Sequence, residues 1–81
     1  MAQQFIIANE HSPEDCEAME AGMPKIPAQW KGTKFYCTCP SGTHGYFMIV
    51  DGNSVEDVTS LLPAEFQMGS TKILPLESFE L

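Results

Sequence analysis

The chain contains no arginine and only four lysines, against eleven aspartate and glutamate residues, so its formal charge is −7. Phosphate backbones are gripped by clustered Lys and Arg, and this composition excludes a nucleic-acid partner. Anionic membrane surfaces are disfavoured for the same reason. Long apolar runs are also missing. The longest, Tyr46–Val50, is far short of the roughly 20 residues that a membrane-spanning helix needs. The leading Met-Ala-Gln-Gln-Phe-Ile-Ile has no basic region ahead of a long apolar stretch, so no signal peptide is read there. Cysteine is sparse and odd in number: Cys16, Cys37 and Cys39. That excludes a fully paired disulfide scaffold and points to a cytoplasmic protein with reduced thiols. No glycine-rich phosphate loop is present, because Ser41-Gly42-Thr43-His44-Gly45 lacks the lysine and the spacing. No Ser-His-Asp set is legible either.

What remains is one small domain. Eighty-one residues leave no room for a second lobe. Hydrophobic residues at 43% against 19% charged place the chain among globular rather than disordered sequences. A chain of this size buries only roughly 60–65% of its unfolded surface, so a second subunit would add to its core.

A weak internal repeat organises the sequence. The stretch Ile6 to Cys16 can be laid over Met48 to Val58. Each copy is an apolar run, a polar turn, and then Ser-x-Glu-Asp opening a helical pattern. The pattern predicts a helix N-cap at Ser12 and at Ser54, each with an acidic first turn that suits the positive end of the helix dipole. Pro13 falls where its missing N–H costs nothing. The first helix is expected over Pro13–Gly22, with Cys16, Met19 and Met23 as its apolar stripe. Gly22 and Pro24 stop it. The second is expected over Val55–Leu62, burying Val58, Leu61 and Leu62. The pairs Glu14-Asp15 and Glu56-Asp57 read as helix starts rather than catalytic dyads.

Four strands fit around the helices: Gln4–Asn9, Thr33–Cys39, Gly45–Val50 and Thr71–Leu76, the last extending towards Phe79. Pro40-Ser41-Gly42-Thr43 is a turn between the second and third. Trp30, the single tryptophan, reads as a loop anchor on the core rather than a lid.

The order β-α-β-β-α-β gives an α+β, ferredoxin-like sandwich. Its antiparallel sheet has strand order 4-1-3-2, with both helices on one face. The inner strands are apolar on both sides: Phe5 and Ile7 against Ile6 and Ala8, and Phe47 and Ile49 against Tyr46, Met48 and Val50. A half-solvated sheet alternates, so the open face needs a second cover. A homodimer through that face is expected.

This element order over nearly the whole chain, with two apolar sheet faces, resembles the dimeric α/β-barrel superfamily. That group includes small monooxygenases, muconolactone-isomerase-like enzymes, stress-responsive barrel proteins and small nickel-binding proteins. The distinctive local segment here is Tyr36-Cys37-Thr38-Cys39-Pro40-Ser41-Gly42-Thr43-His44-Gly45. The resemblance carries over no catalytic residue.

The expected topology gathers chemistry at one sheet edge. The ends of the first and second strands and the start of the third bring together His11, Cys39 and His44, with the first helix opening nearby. Neighbouring strands are about 4.8 Å apart, which sets Cys39 close to His44. Thiolate and imidazole suit Zn, Ni or Cu. The expected metal ligands are His11, Cys39 and His44, with Cys37 or water completing the shell. A second reading takes Cys39 as a reactive thiol and Cys37 as its partner, although a Cys-x-Cys disulfide on an extended strand is strained. A third places a small-molecule pocket between sheet and helices, lined by Phe5, Met19, Met23, Phe35, Tyr46 and Phe47, with His44 or His11 as general base. The functional expectation is a small cytoplasmic binding protein for a transition metal or small ligand. The alternatives are a cofactor-independent isomerase or monooxygenase acting on an apolar substrate, and a structural or regulatory dimer without chemistry.

Overall fold

The computed structural model describes residues 3–81; the first two residues of the leading stretch lie outside the description. Four strands form one sheet: β1 (Gln3–Glu10), β2 (Tyr36–Cys37), β3 (Gly45–Gly52) and β4 (Ser70–Leu76). Two α-helices, α1 (Cys16–Gly22) and α2 (Val55–Leu61), follow β1 and β3. The chain is thus α+β. The sheet order is β2-β3-β1-β4, which is 4-1-3-2 from the other edge, and every pairing is antiparallel.

The sheet has one covered face. Phe5, Ile7 and Asn9 of β1 and Tyr46, Met48 and Val50 of β3 are buried, at the alternate positions that a pleated strand turns to one side. Met19 from α1, Val58 from α2, and Trp30, Leu62 and Phe66 from the connections complete that core. Trp30 is the anchor expected of it: it is buried, and its indole Nε1–H donates to the Asp51 carbonyl at 3.3 Å. Tyr46 is buried along its ring, and its hydroxyl donates to the Phe66 carbonyl at 2.7 Å. Burial pushes this phenol well up, so it stays a neutral donor.

The two Ser-x-Glu-Asp starts differ. Ser54 caps α2 through its side chain, which accepts from the Asp57 N–H at 3.0 Å. Ser12 makes no such cap; its hydroxyl donates to the Asp15 carboxylate at 3.1 Å. The expected single helix over Pro13–Gly22 is a 3₁₀ turn at Pro13–Asp15 followed by α1, and a second 3₁₀ turn runs over Met23–Lys25. Two prolines, Pro13 and Pro24, sit in these flanking turns and keep the regular helix short.

The second strand is shorter than the expected Thr33–Cys39, with only Tyr36 and Cys37 in the ladder, opposite Phe47 and Tyr46. Pro40 bends the chain away at once into a 3₁₀ turn at Cys39–Ser41. The last strand ends at Leu76, short of Phe79.

Candidate metal centre

The end of β1 and the start of β3 are held unusually close. Gly45 is a glycine for a steric reason: a Cβ there would fall 2.4 Å from the Asn9 carbonyl oxygen. The ladder then continues one step beyond the strands, with the His11 N–H donating to the His44 carbonyl at 3.0 Å. This fixes the two histidines side by side, their ring centroids 6.1 Å apart.

The loop from Thr38 to His44 is tied down by its own hydrogen bonds. The Thr38 N–H donates to the Gly45 carbonyl at 3.0 Å, and the Ser41 N–H returns to the Thr38 carbonyl at 2.9 Å. The Thr38 hydroxyl donates to the Thr43 carbonyl at 2.7 Å. Gly42 has φ of 92°, a left-handed conformation that closes the turn and that glycine adopts freely. The sequence from Cys39 to His44 is therefore folded so that both ends face one place.

Cys16, the first residue of α1, completes the set. His11, Cys16, Cys39 and His44 each offer a donor atom, and the four atoms lie within 4.8 Å of one another. His11 Nε2 is 3.3 Å from Cys16 Sγ and 3.8 Å from Cys39 Sγ. Cys16 Sγ is 3.8 Å from Cys39 Sγ and 3.1 Å from His44 Nδ1. A tetrahedral zinc has bonds of about 2.3 Å to sulfur and about 2.0–2.1 Å to nitrogen, which makes its sulfur–sulfur edge about 3.8 Å and its sulfur–nitrogen edges about 3.5 Å. Four of the six donor–donor distances thus lie close to the edges of such a tetrahedron.

The His11 ring is oriented from behind. Its Nδ1 lies 2.9 Å from Asn9 Oδ1. The Asn9 amide is itself locked, because its Nδ2 donates to the Met68 carbonyl at 2.7 Å and to Thr71 Oγ1 at 2.8 Å. The Oδ1 is thus the acceptor, and His11 carries its proton on Nδ1, leaving the Nε2 lone pair for the cluster. Asn9 is the buried polar residue of the core among the described residues. This is the outer-shell partner that metal-binding imidazoles require.

Three of the four expected ligands, His11, Cys39 and His44, come together where the topology placed them. Cys37 does not join them. It is exposed in β2 and outside the cluster, although the Cys39 N–H donates to its sulfur at 3.4 Å. The Cys37 thiol is held above its ordinary value, chiefly by the neighbouring Cys39 side chain. Cys16 takes its place. It was expected on the apolar stripe with Met19, and it does point inward, but one turn earlier, at the sheet's edge. The overlooked signal is a spacing: His11-x₄-Cys16 is mirrored by Cys39-x₄-His44.

A cavity of about 220 Å³ adjoins the cluster. Met19, Met23, Phe35 and Tyr46, all expected in a pocket, are among its walls, as are Glu20 and Cys37. Phe5 and Phe47 are not. Phe5 is packed into the core, and Phe47 lies on the opposite, open face of the sheet, because it alternates with buried Tyr46 and Met48. Glu20 is the one charged group among the walls that is not a cluster residue.

Compared with known protein families, curated proteins and solved structures, the chain matches none. No helix among the described residues is long and apolar enough to cross a membrane.

Proposed function

We propose that this protein binds a transition metal, zinc foremost, through His11, Cys16, Cys39 and His44. The mutual spacing of the four donor atoms carries the reading. Two thiolates and two imidazoles in a tetrahedron favour zinc over square-planar Ni(II) or Cu(II). Four protein donors fill zinc's shell, so the role is binding and structural rather than hydrolytic. The second reading, a cofactor-independent enzyme of the dimeric-barrel type, draws only on the adjoining cavity, which is below the roughly 300–1,000 Å³ usual for ligand pockets. The test is a zinc, nickel and copper titration of untagged, metal-free protein. One zinc per chain is the expected result, bound more tightly than nickel. No binding at micromolar metal would overturn the proposal.

The fold reading that accompanies this one is a ferredoxin-like βαββαβ unit that pairs with a second copy through its open sheet face. Support comes from a continuous apolar surface there. Tyr36 and Phe47 stack at 5.0 Å, and the cross-strand register sets Ile49, Ile6 and Leu74 in one row. Tyr36, Phe47, Ile49 and Leu74 are all exposed in the single chain. Covering a fully exposed large side chain is worth roughly 1.5–3 kcal/mol, and these, 37–55% exposed, gain a corresponding part of it. Sedimentation is expected to show a dimer that Ile49→Glu converts to a folded monomer. A monomeric parent protein would end the pairing idea and leave the metal reading untouched. The free thiols suit a reducing compartment, and hence the cytoplasm.

A further inference from the structure

The cluster that offers four donors to a metal also contains a dithiol. Cys16 Sγ and Cys39 Sγ lie 3.8 Å apart, in van der Waals contact. Building on the metal reading, we propose that Cys16 and Cys39 form a reversible dithiol–disulfide couple, oxidised by peroxide, whose closure expels the bound zinc.

The pairing is specific. A disulfide needs its sulfurs at about 2.05 Å, so the gap has to close by less than 2 Å. Cys39 sits in the turn Cys39–Ser41, which is bounded by Gly42 and outside the strand ladder. Cys16 starts a short helix. The movement therefore falls on a turn and a helix end and breaks no sheet pairing. Cys37 is the competing partner, but it is exposed in β2, and among the described residues the cysteine sulfur in contact with Cys39 Sγ is that of Cys16. Access exists as well. Both sulfurs are half-buried, and the adjoining cavity touches both residues, with room for a molecule of peroxide's size.

The chemistry balances in two displacements. One cysteine sulfur attacks a peroxide oxygen; the O–O bond breaks, one water leaves and a sulfenic acid remains. The second cysteine sulfur attacks that sulfur; the S–S bond forms, the S–O bond breaks and a second water leaves. Two electrons pass from the sulfurs to the peroxide oxygens. From the free thiols the protons of both waters come from the cysteines and the peroxide. From the zinc thiolates, two come from solvent. Two imidazoles alone then face the ion, too few for a zinc site. A dithiol reductant reverses the step and restores the four donors.

The experiment treats untagged protein with hydrogen peroxide in parallel zinc-loaded and metal-free samples. Zinc release is followed with a chromogenic chelator, and the linkage by peptide mass mapping. The expected result is a Cys16–Cys39 link, a loss in mass of two hydrogens, release of one zinc per chain, and recovery of both with dithiothreitol. Cys37→Ser should behave as the parent. A Cys37–Cys39 link, an intermolecular Cys37 link, or sulfinic acid with no intramolecular link would overturn the proposal. The metal-free arm separates the two claims. Linkage there in a protein that never takes up zinc would sink the metal reading and keep the couple. Zinc binding without linkage would do the reverse.

Discussion

Cys16→Ser is expected to lower zinc affinity by more than about a hundredfold, while Cys37→Ser leaves it unchanged. The two substitutions are chemically identical, each exchanging a thiol for a hydroxyl, which is a poor zinc donor. They differ only in place. Cys16 Sγ sits within 3.1–3.8 Å of three other donors, whereas Cys37 is exposed in β2. Asn9→Leu belongs between them. It leaves all four donors present but removes the acceptor that holds the His11 Nδ1 proton. Outer-shell changes of this kind cost about 10–100-fold in metal affinity. Competition against a chromogenic chelator ranks the three, with circular dichroism to confirm that each variant is folded. An equal loss for Cys16→Ser and Cys37→Ser would mean that the binding site is not the cluster described.

The outcome of that series bears on what a sequence can reveal. The edge of the sheet that carries the cluster was legible from topology alone, because strand ends and loop lengths decide which residues meet. His11, Cys39 and His44 followed from it. Cys16 did not: its helical phase turns it inwards, but residue type alone does not make it a ligand. A cysteine on an apolar stripe with Met19 behaves as a small hydrophobe in most proteins, and the one local sign against that is the His11-x₄-Cys16 spacing mirrored by Cys39-x₄-His44. Cys37 erred in the opposite direction. On a long second strand it would have shared a face with Cys39. The strand instead ends at Cys37, as Pro40 takes the chain into a turn, and that turn swings Cys39 inwards without its neighbour. Asn9 was hidden for a different reason. A polar residue at a core position looks like the strand's end until its three partners, Met68, Thr71 and His11, are seen together. Phe47 shows the period at work. One residue from Tyr46, it faces the other side of the sheet, so the two aromatics never shared a pocket.

Zinc is expected to raise the unfolding temperature by about 10–20 °C at a free concentration near a hundredfold above its dissociation constant, and a chelator to reverse the rise. The magnitude follows from linkage. An ion that binds only the folded chain at that concentration adds about 2.7 kcal/mol, and a domain of 60–100 residues gains about 4–8 °C for each kcal/mol. That linkage requires that the folded chain alone assembles the four donors, and the site joins segments from separate parts of the chain. His11 trails β1, Cys16 opens α1, and Cys39 and His44 bracket the turn between β2 and β3. These segments meet at the sheet's edge, where the four donor atoms lie within 4.8 Å of one another. Cys16, Cys39, His11 and His44 are each only half-buried. In a chain of 81 residues, a four-coordinate bond network across them replaces contacts that a larger core would supply. The control is Cys16→Ser in the same zinc concentration. Its unfolding temperature should rise by no more than about 3 °C, because a hundredfold loss of affinity leaves at most about 0.4 kcal/mol of linkage at that concentration. Calorimetry with and without zinc decides the matter: a shift shared by parent and variant would come from binding elsewhere, and a parent that does not respond would show that the ion plays no part in holding the fold.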